Sequence, residues 1–439
     1  MKTRTRQQLF RCAKGRHVKH AQQGRPIPLR YNPAAFVPPP VSCPADPVRK
    51  PPHLKPLHLL VLVTTVNHIM YVGSRLTVLL YAVQLGASPA TVGVLTALFS
   101  VLGITTSVAT GRWIDRVGPR NPMLWTALLM AAGGALPFVW DHMAALFILA
   151  LTVGTAYNIY FTGQQIQIGR YGEAADRVGN FAFYMQAFSV ASFIAPLITG
   201  FAIDEIGYAW TFLIFSAFPL VPALVIAMDK LDLSKPAGAE SEKTHAGEKK
   251  KSSVWDLMRL PALRRIFIAA LLIHVGWNLY TFVTPIYGTS IHLSASQIGI
   301  ILSTFSLASV VVRAAAPALS RLISPWQVMI LALVVTAIGL IASPFFTSMT
   351  MLLVLAFWLG LGLGVGAPIS MALIYEASPP DRIGEVLGLR LSLINAMQTV
   401  VPLTAGAIGA ALGVGPVFWT LAALMVIGAW AARRQWRAP

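Results

Sequence analysis

Charge is scarce in this chain. Asp, Glu, Lys and Arg together make up 11% of it against 56% hydrophobic residues, where a soluble domain carries about a quarter charged. A water-soluble globular fold is thereby excluded for most of the sequence. Cysteine is scarcer still. Cys12 and Cys43 are the only two, both ahead of the first apolar run, so neither a disulfide framework nor a thiolate metal site is expected. Acids are missing at one depth in particular: no Asp or Glu lies in the middle of any long apolar run. A lipophilic cation crossing there would meet no fixed counter-charge. No nucleophile–base set and no metal-binding helix stands out, so an enzyme is not expected, nor any cofactor or metal. The glycines Gly360, Gly362, Gly364 and Gly366 fit neither the dinucleotide nor the phosphate-loop spacing and sit in an apolar run.

What is present is apolar length. A helix needs about 20 mostly apolar residues to cross a bilayer. Windows of that size give twelve spans: 57–84, 89–111, 121–139, 143–168, 179–203 and 208–228, then 265–290, 296–317, 325–343, 348–374, 382–411 and 415–432. Lys and Arg set the orientation. Arg112, Arg116, Arg120, Arg170, Arg177, Arg321 and Arg382 fall in alternate connections, while the opposite ones carry Asp141, Asp204 and Glu205. Both termini are therefore expected in the cytoplasm. The net charge of +18 is concentrated rather than spread, with twelve Lys and Arg against Asp46 alone in residues 1–56. That reads as a basic, disordered tail beside anionic lipid and not as a nucleic-acid site. The expected organisation is a tail over 1–56, a six-helix bundle over 57–228, a cytoplasmic linker over 229–262, a second six-helix bundle over 263–435 and a short tail over 436–439.

The two halves repeat each other at an offset near 206. His68 matches His274, Tyr81 matches Tyr287, Ser88 matches Ser294 and Gly93 matches Gly299. Phe99-Ser100 matches Phe305-Ser306, Pro196 matches Pro402, Gly200 matches Gly406 and Gly207 matches Gly413. Asp176-Arg177-Val178-Gly179 returns one residue out of step as Asp381-Arg382-Ile383-Gly384. End-to-end duplication of apolar segments is a mark of secondary transporters.

Between the second and third spans lies Gly111-Arg-Trp-Ile-Asp115-Arg116-Val-Gly118-Pro-Arg120. This stretch resembles the signature loop of the major facilitator superfamily, and with the 6+6 repeat the resemblance covers nearly everything after residue 56. It implies an all-α membrane protein of twelve transmembrane helices in two pseudo-symmetric bundles, working by alternating access. By the same resemblance Gly111, Asp115, Arg116, Gly118 and Arg120 form a gate between the halves rather than a solute site. The fifth span carries Ala195, Pro196 and Gly200, similar to the family's glycine-rich antiporter motif with several glycines replaced. Small residues there, and Pro402 and Gly406 in the eleventh span, allow close helix packing.

Ionisable and polar groups within the spans are the solute and coupling candidates. Arg75 lies about 27 Å along its helix. Arg313 and Arg390 sit nearer the cytoplasmic ends, where Glu376 or Glu385 could pair with them. His68 and His274 occupy equivalent mid-depth places. Helices one and seven line the central cavity in the resembled fold, so the two imidazoles suit proton coupling or anion recognition. Tyr71 and Asn278 fall near the same faces. Further candidates are Tyr157, Asn158 and Gln164, Tyr184 and Gln186, and Asn395 and Gln398. The resemblance implies a monomeric carrier in a bacterial inner membrane, driven by the proton gradient. Proton-linked export of a small metabolite or drug is the first reading, proton-coupled uptake of an organic anion the second, and a non-transporting solute sensor a third of another class.

Overall fold

The apolar runs are helical, two of them (208–228 and 348–374) in two pieces. The structure, a computed structural model, describes residues 54–168, 177–229, 231, 233, 254–379 and 382–436. The basic tail, most of the expected linker and the final three residues lie outside the described residues, as do Asp176 and Asp381 of the repeated tetrad. In the first half the helices are α1 (Leu54–Gln84), α2 (Pro89–Val117), α3 (Arg120–Val139), α4 (Met143–Ile168), α5 (Arg177–Ala217) and α6 (Leu220–Ala227). The second half holds α7 (Pro261–Ser290), α8 (Ala295–Leu322), α9 (Pro325–Ala342), α10 (Met349–Gly364), α11 (Gly366–Ala377), α12 (Ile383–Leu412) and α13 (Val414–Trp436). Ten helical stretches among the described residues are long and apolar enough to cross a membrane. One of them, 183–227, is broken at Gly207 with φ 79 and ψ 173, and so crosses twice. The apolar part of α2, Pro89–Ile104, supplies the twelfth crossing.

The repeat seen in the sequence is a repeat of backbone. Gly413 ends α12 at φ 84 and ψ 173, nearly the values of Gly207, a conformation that a Cβ disfavours. Ser88 and Ser294 both cap the following helix through their side-chain oxygens, which satisfies an otherwise orphan N–H. A Cβ on Gly154 would meet the backbone of Phe99, and one on Gly360 the backbone of Phe305. Those pairs are again 206 apart. Tyr81 donates to Asp141 and Tyr287 to the carbonyls of Pro344 and Phe346, so each ties the end of its helix to an equivalent connection.

The halves meet through two equivalent helix pairs, α2 with α12 and α5 with α8, while α1 also touches α7. At the end away from the signature loop (the far end) these pairs approach until only glycine fits. A Cβ on Gly93 would lie 2.4 Å from the carbonyl oxygen of Pro402, and one on Gly299 2.3 Å from that of Pro196. Likewise Gly200 would meet Ala295 at 2.4 Å and Gly406 would meet Pro89 at 2.5 Å. Toward the loop end, Cβ positions on Gly111 and Gly388 have no atom within 4 Å. The same helix pair that touches main chain to main chain at one end has room beside its glycines at the other.

The tenth expected span, 348–374, is interrupted where the sequence reading had one helix. α10 stops at Gly364 and α11 begins at Gly366. Pro368 explains the break, because it has no N–H to donate to the Gly364 carbonyl and its ring crowds that oxygen. The released carbonyl accepts from Arg313 Nε at 3.2 Å.

Candidate functional site

On α1, His68, Tyr71 and Arg75 are spaced i, i+3, i+7 and so share one face of the helix. His68 and Arg75 are half-buried on that face, while Tyr71 between them is buried together with Asn67, Ser74 and Leu76. α1 packs on α5, α4, α2 and α6 of its own half and on α7 of the other, which sets it beside the seam between the halves.

His68 is held at 2.6 Å from the hydroxyl of Tyr157 on α4. Tyr157 in turn stacks on Tyr71 at 3.9 Å between ring centroids. Phe188 on α5 presents an edge to His68 at 4.6 Å, and Phe161 lies beside both Tyr157 and Phe188. The first repeat thus builds an aromatic wall around one imidazole. Phe161 and Phe188 were not among the expected residues; their i, i+4 relation to Tyr157 and Tyr184 was the available signal.

The second repeat differs at the corresponding place. Position 363, equivalent to Tyr157, is Leu363, which cannot bond an imidazole. On His274 it is the other ring nitrogen, Nε2, that is buried with no hydrogen-bond partner. Of the charged groups, Arg390 on α12 and then Arg75 on α1 act on this ring. Arg390 Nε is also buried without a partner. The expected pairing of Arg390 with a loop acid does not form: Glu385 is taken by Arg382 at 2.6 Å, and Glu376 is exposed. Among the described residues Arg313 likewise pairs with no acid. It donates to Gly364 and to Ser189 of α5 at 3.1 Å and lies 5.4 Å over the ring of Trp277, so neutral groups satisfy it.

Several candidates serve packing rather than the seam. Asn158 donates to the carbonyls of Gly154 and Phe99, which ties α4 to α2. Gln164 donates to Thr64 and accepts from Tyr184 inside the first bundle. Gln186 is exposed. Asn278 is buried and donates back to the His274 carbonyl at 3.0 Å, which fixes the helix around that histidine. Asn395 and Gln398 are half-exposed on α12, and at about 100° per residue Asn395 is turned roughly 140° from Arg390.

At the signature loop, α2 continues to Val117 and Gly118 closes it at φ 81, its N–H donating to Ile114. Arg120 pairs with Asp229 at 3.5 Å within the same half, and Arg116 is exposed. The side chain of Asp115 lies outside the described residues. At the far end, Asp204 accepts from the N–H groups of Ala295 at 3.1 Å and Ser296 at 2.8 Å, so a carboxylate of one half caps the first turn of α8 in the other. Among the described residues no group of His, Cys, Asp and Glu could hold a metal ion.

Known proteins share this architecture. The profile of the Major Facilitator Superfamily matches residues 60–323 and again 266–437. Similar solved structures include a bacterial homolog of the human lysosomal transporter Spinster in an inward-facing, unoccupied conformation, with 14% identity, TM-score 0.70, and coverage of 86% of this chain and 96% of that one. A POT family transporter in complex with 5-aminolevulinic acid follows at 15% identity, TM-score 0.68, 85% of this chain and 94% of that one. The nucleoside transporter NupG has 16% identity, TM-score 0.67, and coverage of 87% and 100%. No curated protein matches the chain in sequence.

Proposed function

We propose, for a chain that belongs to the Major Facilitator Superfamily and is a multi-pass membrane transporter rather than an enzyme, proton-linked export of a small organic solute by alternating access. The observation that carries this reading is the pair of histidines on α1 and α7, set at the seam of two halves that touch main chain to main chain at one end only. Imidazole changes charge near neutral pH, and a group that does so between two gates can tie proton movement to solute movement. Asp115, Arg116 and Arg120 belong in this reading to the gate at the loop end, which faces the cytoplasm together with both termini, in a bacterial inner membrane. Export is favoured by the likeness of Ala195, Pro196 and Gly200 to the family's antiporter motif, several of whose glycines are replaced here.

The test is flux in proteoliposomes. With an imposed proton gradient the protein should move solute uphill, whereas His68→Gln or His274→Gln should abolish uphill transport and spare equilibrium exchange. Proton dependence unchanged in both variants would reject histidine coupling. Solute binding without any vectorial flux would replace the carrier by a sensor. A second reading, uptake of an organic anion, is favoured by the basic groups at the seam with no acid at their depth.

A further inference from the structure

Burying a charge without a partner costs several kcal/mol, and intramembrane ionisable groups are retained where they serve a ligand or a relay. Of the three arginines inside the spans, Arg313 is satisfied by Ser189, Gly364 and Trp277. Arg75 and Arg390 make no hydrogen bond or ion pair among the described residues, Arg390 Nε and His274 Nε2 are enclosed without partners, and both arginines lie within electrostatic reach of His274. The sequence contains no acid at that depth to neutralise them. The groups left unpaired are N–H donors and cations, so what completes them is an oxyanion. Along the same face of α1, two turns or about 10 Å away, His68 and the rings of Phe188 and Phe161 offer an apolar surface with Tyr71 between.

We propose that the transported solute is an amphipathic organic monoanion, its carboxylate held by Arg75, His274 and Arg390 and its apolar or aromatic body laid against the His68–Phe188–Phe161 wall. This rests on the carrier reading and names its substrate class. Arginine favours such a role because its planar fork matches a carboxylate in two parallel bonds. The asymmetry between the repeats fits the division: Tyr157 bonds Nδ1 of the histidine on the aromatic side, whereas the equivalent Leu363 offers the other histidine no such bond and its Nε2 is enclosed without a partner.

The experiment uses three probes of one shape, 4-phenylbutyrate, 4-phenylbutanamide and 4-phenylbutylammonium, against the purified full chain. Thermal unfolding is followed over a titration of each. The anion should stabilise the protein saturably while the amide and the ammonium do not. Arg75→Gln and Arg390→Gln should weaken the anion at least tenfold, and Arg390→Lys should recover part of that loss. Phe188→Ala should weaken phenylbutyrate more than acetate. Any arginine variant that misfolds is read through Arg390→Lys and Phe188→Ala, which keep the charge. Equal stabilisation by amide and anion, or preference for the ammonium, would overturn the assignment. Counterflow of labelled phenylbutyrate in proteoliposomes separates the two readings. Binding without counterflow keeps the anion site and sinks the carrier, while counterflow of all three probes alike keeps the carrier and sinks the anion site.

Discussion

Arg313 illustrates how far the surroundings decide what a buried charge does. It lies inside its span as Arg75 and Arg390 do, yet a proline four residues past Gly364 in the chain releases a carbonyl for it, and Ser189 takes a second donor. Arg313→Gln should therefore act on stability rather than affinity: about 1–3 kcal/mol for leaving buried polar groups unpaired, seen as a lowered unfolding temperature with the anion titration unchanged. A loss of affinity without a loss of stability would return Arg313 to the solute site. Asp115→Asn belongs to the same scale with the opposite signature, since weakening a gate should lower flux while leaving expression and unfolding temperature near those of the parent. Normal flux in Asp115→Asn would remove Asp115 from the gate. The partners of Arg313 were not legible in the sequence because they depend on a helix break between the third and fourth of four apparently similar glycines. His68 and His274 were legible as a pair, but not their difference, which turns on a single tyrosine-to-leucine change at equivalent positions of the repeat.

Among the elements, the helix pairs α2–α12 and α5–α8 carry the closure. Gly93→Ala or Gly299→Ala would force a methyl group to within 2.4 or 2.3 Å of a carbonyl oxygen, and overpacking of that kind costs about 1–3 kcal/mol. The expected outcome is a shift toward opening of the far end, read as faster labelling of a cysteine introduced at Ser296. Unchanged labelling in both variants would mean the contact bears no part of the closure. Asp204 adds a polar contact on the α5–α8 side only, since the equivalent residue is Ala410. It lies on α5 at the far end, three residues before the break at Gly207. Partial desolvation raises its pKa, but bonds from Ser296, Ser294 and the Ala295 N–H outweigh this and hold it below the usual carboxylate range. Its contribution is complete above the free-carboxylate value of about 3.9 and is lost only as pH falls through the lower folded value. Far-end labelling, taken relative to a free thiol at each pH so that the thiolate fraction cancels, should accordingly be flat between pH 5 and 8, while Asp204→Ala should speed it at any pH in that window. Helix number and register were legible because apolar length and the 206-residue offset are properties of sequence; the approach of main chain to main chain was not, since four glycines in apolar runs look alike whether they face lipid, a neighbour or a partner half.

For the whole molecule, pseudo-symmetry supplies the frame and its violations supply the chemistry. Gly207 and Gly413, Ser88 and Ser294, and the paired glycine contacts are the same device used twice. Tyr157 against Leu363 and Asp204 against Ala410 are not. A chain built as two identical halves would present two equal histidines and no cluster of basic groups biased to one side of the seam.

The far-end contacts carry one more consequence. Four of them are made by peptide groups and glycine α-carbons, atoms that neither titrate nor feel ionic strength strongly. A closure built this way behaves as a mechanical stop whose stiffness stays constant from one medium to another. Asp204 is the far-end group described above that can answer to pH, and only below the usual carboxylate range; the four main-chain contacts keep the same threshold in every medium.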